Sequence, residues 1–196
     1  MGKRPEHDIK LLTPLQPFTH TMKTANIKIE LEPGASMPVR ATDRAVGYDV
    51  TSIRLFAVSD TGEKRPCYNR QDLVDLEADE FPCAYVEVHT GVHVQPEPPY
   101  YVQLHPCSRI APLTVIYGNG LGNIDPDFTG GMRIILNSVR EYWKIDDIAQ
   151  FLPGNVAGQL IISEFIGANW HQVKALDPTA RGAGGFGSTD PYRKHI

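Results

Sequence analysis

The run Arg181-Gly182-Ala183-Gly184-Gly185-Phe186-Gly187-Ser188-Thr189 holds four glycines in nine residues. Glycine has no side chain to pack and the largest ordering entropy, so the run adds nothing to a core. It offers bare backbone N–H groups to an anion. Arg181 suits bidentate phosphate recognition. Phe186 offers a ring to a flat partner such as a nucleobase, and the Ser188 and Thr189 hydroxyls add donors. The alternative is a disordered Gly-rich tail, but the run is not simple Gly/Ser sequence. Nor is it a Walker loop, because Gly-Lys-Ser/Thr is missing.

Four earlier segments carry chemistry of their own. Ala41–Val50 brings a glycine, an aromatic and an acid together at Gly47-Tyr48-Asp49. Taken alone it reads as a turn entering a strand. His105-Pro106-Cys107-Ser108-Arg109 sets a hydroxyl beside a guanidinium, a phosphate contact or an ordinary surface turn. Gly118–Gly131 places Asn119, Asp125 and Phe128 on a hairpin-like stretch. Asn119 has the donor and acceptor that suit a base edge, Asp125 is a candidate general base, and Phe128 can wall a pocket. Turn formation explains the glycines and Pro126 but not this trio. Gln159 is a polar residue inside the apolar run 156–165, to be satisfied internally or by a ligand.

These residues must be held by strands. Sixteen prolines and seventeen glycines cut the chain into short pieces with period-two apolar alternation, as at 25–31, 84–94, 100–104, 132–136 and 156–165. Alternation, β-branched residues and turn signals about every ten residues predict an all-β sandwich or barrel. Residues 59–80 are acidic and polar and read as an insertion, partly helical at 71–80. Residues 139–152 read as a short amphipathic helix or an irregular excursion. His89 and His93, four apart in a β pattern, read as strand residues on one face, too far apart for a metal clip. The expected organisation is an extension over 1–24, a β domain over 25–178 and a mobile arm over 179–196.

Composition sets bounds. With 196 residues, 41% apolar and 21% charged content, the chain fits one soluble globular domain. The net charge of −4 implies no general attraction to nucleic acid. Three widely spaced cysteines, Cys67, Cys83 and Cys107, argue against a disulfide framework or a zinc site. The expected compartment is reducing and cytoplasmic, or a host cytoplasm for a viral protein. No signal peptide or membrane span is visible, so no membrane partner is expected.

In order and approximate spacing, the five segments resemble the five motifs of the trimeric dUTP pyrophosphatases (dUTPases). The resemblance covers residues 41–189; the fifth motif matches residue for residue and the third is nearly as good. It implies a distorted jelly-roll fold and a homotrimer whose sites are shared between subunits, the arm of one closing a pocket formed by others. The implied activity is hydrolysis of dUTP to dUMP and pyrophosphate with Mg2+. By position, Asp125 would activate the attacking water. Asn119 and the backbone at Gly122, Asn123 and Ile124 would pair with uracil, with Arg133 making a further backbone contact. Phe128 stands at a family tyrosine that packs on deoxyribose. Ser108 and Gln159 would contact phosphates. Asp49 would support the metal through water, the cation being held mainly by phosphates and waters. Arg181 would meet the γ-phosphate, Phe186 would stack on uracil, and Gly187, Ser188 and Thr189 would wrap the phosphates.

The chain departs from the pattern at motif two, where Cys107 replaces an arginine and Arg109 a glycine, and at motif four, where Val156 replaces an arginine. Arg109 is expected to supply the missing charge beside Asp49. Two alternatives come with the resemblance. A dCTP deaminase of the same superfamily needs a glutamate in the strand after the hairpin, and residues 132–137 hold no acid. A phage-type regulator would bind a protein partner through residues 59–80, though a charged loop is usually only solvated.

Overall fold

The computed structural model describes residues 23–185. Contacts divide the chain into two units, 1–165 and 166–196. The first is built from β1 (Ile27–Leu31), β2 (Tyr48–Thr51), β3 (Arg54–Ser59), β4 (Lys64–Cys67), α1 (Arg70–Ala78), β5 (Cys83–His89), β6 (Val92–Pro96) and β7 (Tyr100–His105). It continues through β8 (Val115–Tyr117), β9 (Gly122–Ile124), β10 (Arg133–Ser138), α2 (Ile145–Ile148) and β11 (Val156–Glu164). Three sheets result: β1-β6, β4-β3-β5-β10-β8 and β2-β11-β7-β9. All named strand pairs are antiparallel. Each sheet follows from period-two patterning: Val102 and Leu104 of β7 are buried, while Tyr101, Gln103 and His105 are only partly covered. The core lies between the larger sheets, with Leu55, Val88, Ile134 and Leu136 from one and Val50, Val102, Leu104 and Leu160 from the other.

The alternating run 84–94 is not one strand. It breaks at Thr90-Gly91, where Gly91 takes φ +64° and a Cβ would lie 2.4 Å from Ile53 Cδ1. His89 therefore ends β5 and His93 belongs to β6, in different sheets, which corrects the single-face reading. Residues 59–80 are built into the fold. β4 pairs with β3, and α1 lays Leu73 on the core. Asn69 and Asp72 form a reciprocal capping box at the start of α1. Residues 139–152 contain α2 and a 3-10 turn at Ala149–Phe151. Asp147 of α2 is buried and accepts from the Thr114 backbone N–H and hydroxyl, both at 2.6 Å. In the second unit, described residues form neither helix nor strand, and Ile166, Trp170 and Leu176 are exposed. Among the described residues no helix is long and apolar enough to cross a membrane.

Candidate functional site

The stretch 118–131, expected to be hairpin-like, instead crosses between the two larger sheets, because β8 belongs to one and β9, which pairs with β7, to the other. Gly118 N–H donates to Ile135 C=O at 2.7 Å, and a Cβ on Gly118 would meet Asn137 Nδ2 at 2.6 Å. Any larger residue there would push the Asn137 amide aside. Gly120 takes φ +58° to turn the chain. Asn119 Nδ2 donates to Arg133 C=O at 3.3 Å, tying the turn to β10. Beyond β9, Phe128 N–H closes a turn onto Asp125 C=O at 3.1 Å, with Pro126 at the position whose φ it presets. The Phe128 ring, 44% exposed, folds over Gly130. His93 and Thr129 C=O, 2.9 Å apart, fasten the far end. That bond raises the His93 pKa, burial opposes it, and Glu32 adds to the rise.

Among the described residues β9 is an edge strand that pairs with β7 alone. Its other edge leaves backbone N–H and C=O groups free to bond a flat, hydrogen-bonding ligand. Asp125 follows it directly and lines a groove of about 400 Å3 with Tyr101, Asn123, Pro126, Asp127, Glu164 and Phe165. The Tyr101 and Phe165 rings meet edge to face, 6.5 Å between centroids. The hydrogen bond and charge of Lys23 hold the Glu164 carboxyl below its ordinary range.

A second polar group sits at the other end of β7. Asp49, Gln159 and His105 are direct cross-strand neighbours on β2, β11 and β7. Gln159 Nε2 donates to Asp49 Oδ1 at 2.8 Å, and Gly47 leaves room for the Gln159 side chain. Ser108, exposed, opens the 3-10 turn Ser108–Ile110 immediately after β7, and Cys107 is buried behind it. Burial raises the Tyr117 pKa well above the phenol range, so its hydroxyl stays protonated and donates to Ala157 C=O. Arg109 does not reach Asp49, which corrects the expectation that it supplies charge there. Its guanidinium donates to the main-chain carbonyls of Gln150, at 2.5 Å, and Val156, and lies over the Phe151 ring. The arginine thus straps the motif-two turn to the start of β11.

Asp49 and Gln159 are brought together, with Ser108 in the turn that follows β7, and Asn119 is brought beside the Gly122–Asp125 stretch. The two groups are separated along β7. Asp125 follows the residue opposite Val102, whereas Gln159 faces His105. Four residues of strand are roughly 13 Å. Arg133 presents its carbonyl to Asn119, and its side chain lies beside His89, whose pKa is lowered first by burial. In the second unit Arg181 Nε donates to Gly184 C=O at 2.8 Å. Phe186, Gly187, Ser188 and Thr189 lie outside the described residues. Sequence reasoning missed Tyr101, Asp127, Glu164 and Phe165. The alternation of Tyr101, Gln103 and His105 was a readable signal for one face of β7, but pairing with Asn123 and Ser163 was not.

No protein-family model matches the chain. Among curated proteins it is similar to a deoxyuridine 5'-triphosphate nucleotidohydrolase of Rickettsia bellii, 28% identical over 157 residues, covering 80% of this chain and 88% of the relative. The protein of that name from Paramecium bursaria Chlorella virus 1 is 28% identical over 164 residues, covering 82% and 94%. Among solved structures, the dUTPase of Staphylococcus bacteriophage 80alpha with dUPNHPP gives a TM-score of 0.61 at 21% identity, covering 84% of this chain and 98% of that one. A mutant dUTPase of Staphylococcus aureus phage phi11, described with a structural Mg(II) ion, gives 0.55 at 16% identity, covering 78% and 99%. The all-β architecture is thus that of the dUTPase fold, and the resemblance of the chain to the dUTPases is upheld.

Proposed function

We propose that this chain, a relative of the dUTPases in sequence and in fold, hydrolyses dUTP to dUMP and pyrophosphate. The observation that carries the reading is the free edge of β9 ending at Asp125, over an open groove. A backbone edge can demand the uracil donor–acceptor pattern, because a mismatched base leaves buried polar groups unpaired. Asn119 adds a side-chain donor and acceptor to this edge. The Phe128 ring would pack on the sugar. Asp125 takes a proton from the water that attacks the α-phosphorus, and the pyrophosphate leaves on the opposite side. Ser108 and Gln159 contact phosphates. Arg109 serves by holding the Ser108 turn. The arm brings Arg181 to the γ-phosphate and Phe186 onto the base, with Gly187, Ser188 and Thr189 around the phosphates.

The proposed cofactor is Mg2+. Among the described residues no cluster of three or more His, Cys, Asp or Glu side chains is placed to hold a metal. A cation held mainly by substrate phosphates and waters, with Asp49 acting through water, needs no cage of protein ligands. When bound, Mg2+ would neutralise charge and orient the triphosphate. The groove needs such help, since Asp125, Asp127 and Glu164 all face it.

The separation of Asp125 from Ser108 and Gln159 supports a site shared between copies, as does the exposed apolar surface of Ile166, Trp170 and Leu176. We read the active species as a homotrimer that supplies dUMP and keeps uracil out of DNA. The deaminase alternative is disfavoured because β10 carries no acid. Subunit mixing tests the reading. Asp125→Asn and Gln159→Ala homo-oligomers should each release pyrophosphate from dUTP about 100-fold or more slowly than wild type. Co-refolded mixtures should regain a measurable fraction. Full activity of Asp125→Asn would remove the proposed base, and mixtures without recovery would count against the shared site.

A further inference from the structure

We infer that Gln103 is a positioning residue for the uracil-binding edge. The inference rests on the proposed hydrolysis of dUTP, which gives β9 and Asp125 their roles. β9 has only three residues, Gly122, Asn123 and Ile124, and among the described residues pairs with a single neighbour. A short edge strand that opens on glycine is weakly fixed, and a one-residue slip would turn every side chain to the opposite face. It would also carry Asp125 out of place.

Gln103 lies directly across from Asn123 on the outer face of β7. Its amide has partners on three strands. Nε2 donates to Asn123 Oδ1 at 3.2 Å, while Oε1 accepts from Ser163 Oγ of β11 at 3.1 Å and lies 3.4 Å from His105 Nε2. Ser163 and His105 hold the amide in one orientation, and the amide holds Asn123. His105 also stands opposite Gln159, which donates to Asp49. The two polar groups of the site thus share one sheet face, with Gln103 between them. Backbone pairing alone resists a slip of β9 poorly; the side-chain hook adds a register-specific bond that exists only when Asn123 faces Gln103.

The full-length chain tests this through Gln103→Leu, Gln103→Glu, Asn123→Ala and the Gln103→Leu/Asn123→Ala double variant. Amide hydrogen exchange at Gly122–Asp125 and steady-state kinetics with dUTP are both read. Gln103→Leu should speed exchange of these amides about tenfold. It should lower kcat roughly tenfold, since small misplacement of a reacting group is costly, with a smaller rise in KM and little change in thermal midpoint. Gln103→Glu keeps the acceptor for Ser163, and the Asn123 amide can turn to donate to its carboxylate, so it should retain more of the wild-type exchange protection and kcat than Gln103→Leu. The double variant should be no worse than Gln103→Leu alone, because the Gln103–Asn123 bond is already gone there, while Asn123→Ala, which spares the Ser163 and His105 contacts, should be the milder single variant. Unchanged exchange and kcat in Gln103→Leu would overturn the inference, as would additive losses in the double variant. If wild type releases no pyrophosphate from dUTP, the proposed function fails, while the exchange rates still decide whether Gln103 holds β9.

Discussion

His93 shows how one side chain on a neighbouring sheet can steady the site. It links Glu32, at 3.2 Å, to the Thr129 carbonyl at the end of the stretch 118–131. Its folded pKa is raised above 6.5, chiefly through the Thr129 bond. The stabilisation is therefore full below 6.5 and is lost as pH rises through the folded value. His93→Gln should lower the thermal midpoint relative to wild type near pH 6, with the difference shrinking above about pH 8. A pH-independent difference would show that protonation of His93 is not involved. Single residues also mark the limit of sequence reading. Asp49, Asp125 and Gln159 drew notice from residue type and order; the structure pairs Gln159 with Asp49 across neighbouring strands and sets Asp125 in the turn after β9. Arg109 was placed wrongly beside Asp49, because the reach of a long side chain depends on which carbonyls the fold leaves open, here those of Gln150 and Val156. Gln103 went unnoticed because its value lies in cross-strand partners that register alone reveals.

At the scale of elements, strands were legible and their edges were not. Period-two patterning located β1, β7, β10 and β11 within a residue or two. The break between β5 and β6 was missed because a Thr-Gly turn can hide inside an unbroken alternation; the crowding of Ile53 against Gly91 reveals it only in three dimensions. The acidic segment 59–80 was read from its charge as an insertion, yet one face of α1 is apolar and closes the core. Leu73 there is 2% exposed. It packs in a cluster with Phe81, Val86 and Ile148. Leu73→Ala should lower the unfolding free energy by about 2–5 kcal/mol in urea titration. A loss under about 0.5 kcal/mol would mean that α1 is dispensable surface.

In the whole molecule two polar groups stand at opposite ends of β7, and the segment carrying Arg181 follows β11. No single copy brings Asp125 to Ser108 and Gln159 across roughly 13 Å of strand. Arg181 opens the segment that carries the fifth motif, of which residues 186–189 lie outside the described residues. The most direct measurement is pyrophosphate release from dUTP, dCTP, dTTP and UTP, with and without Mg2+, by the full chain and by a chain ending at residue 178. The account predicts Mg2+-dependent release from dUTP at rates far above the other three nucleotides, and near-loss of turnover in the shortened, folded protein. Release from no nucleotide, or equal release from all four, would contradict it.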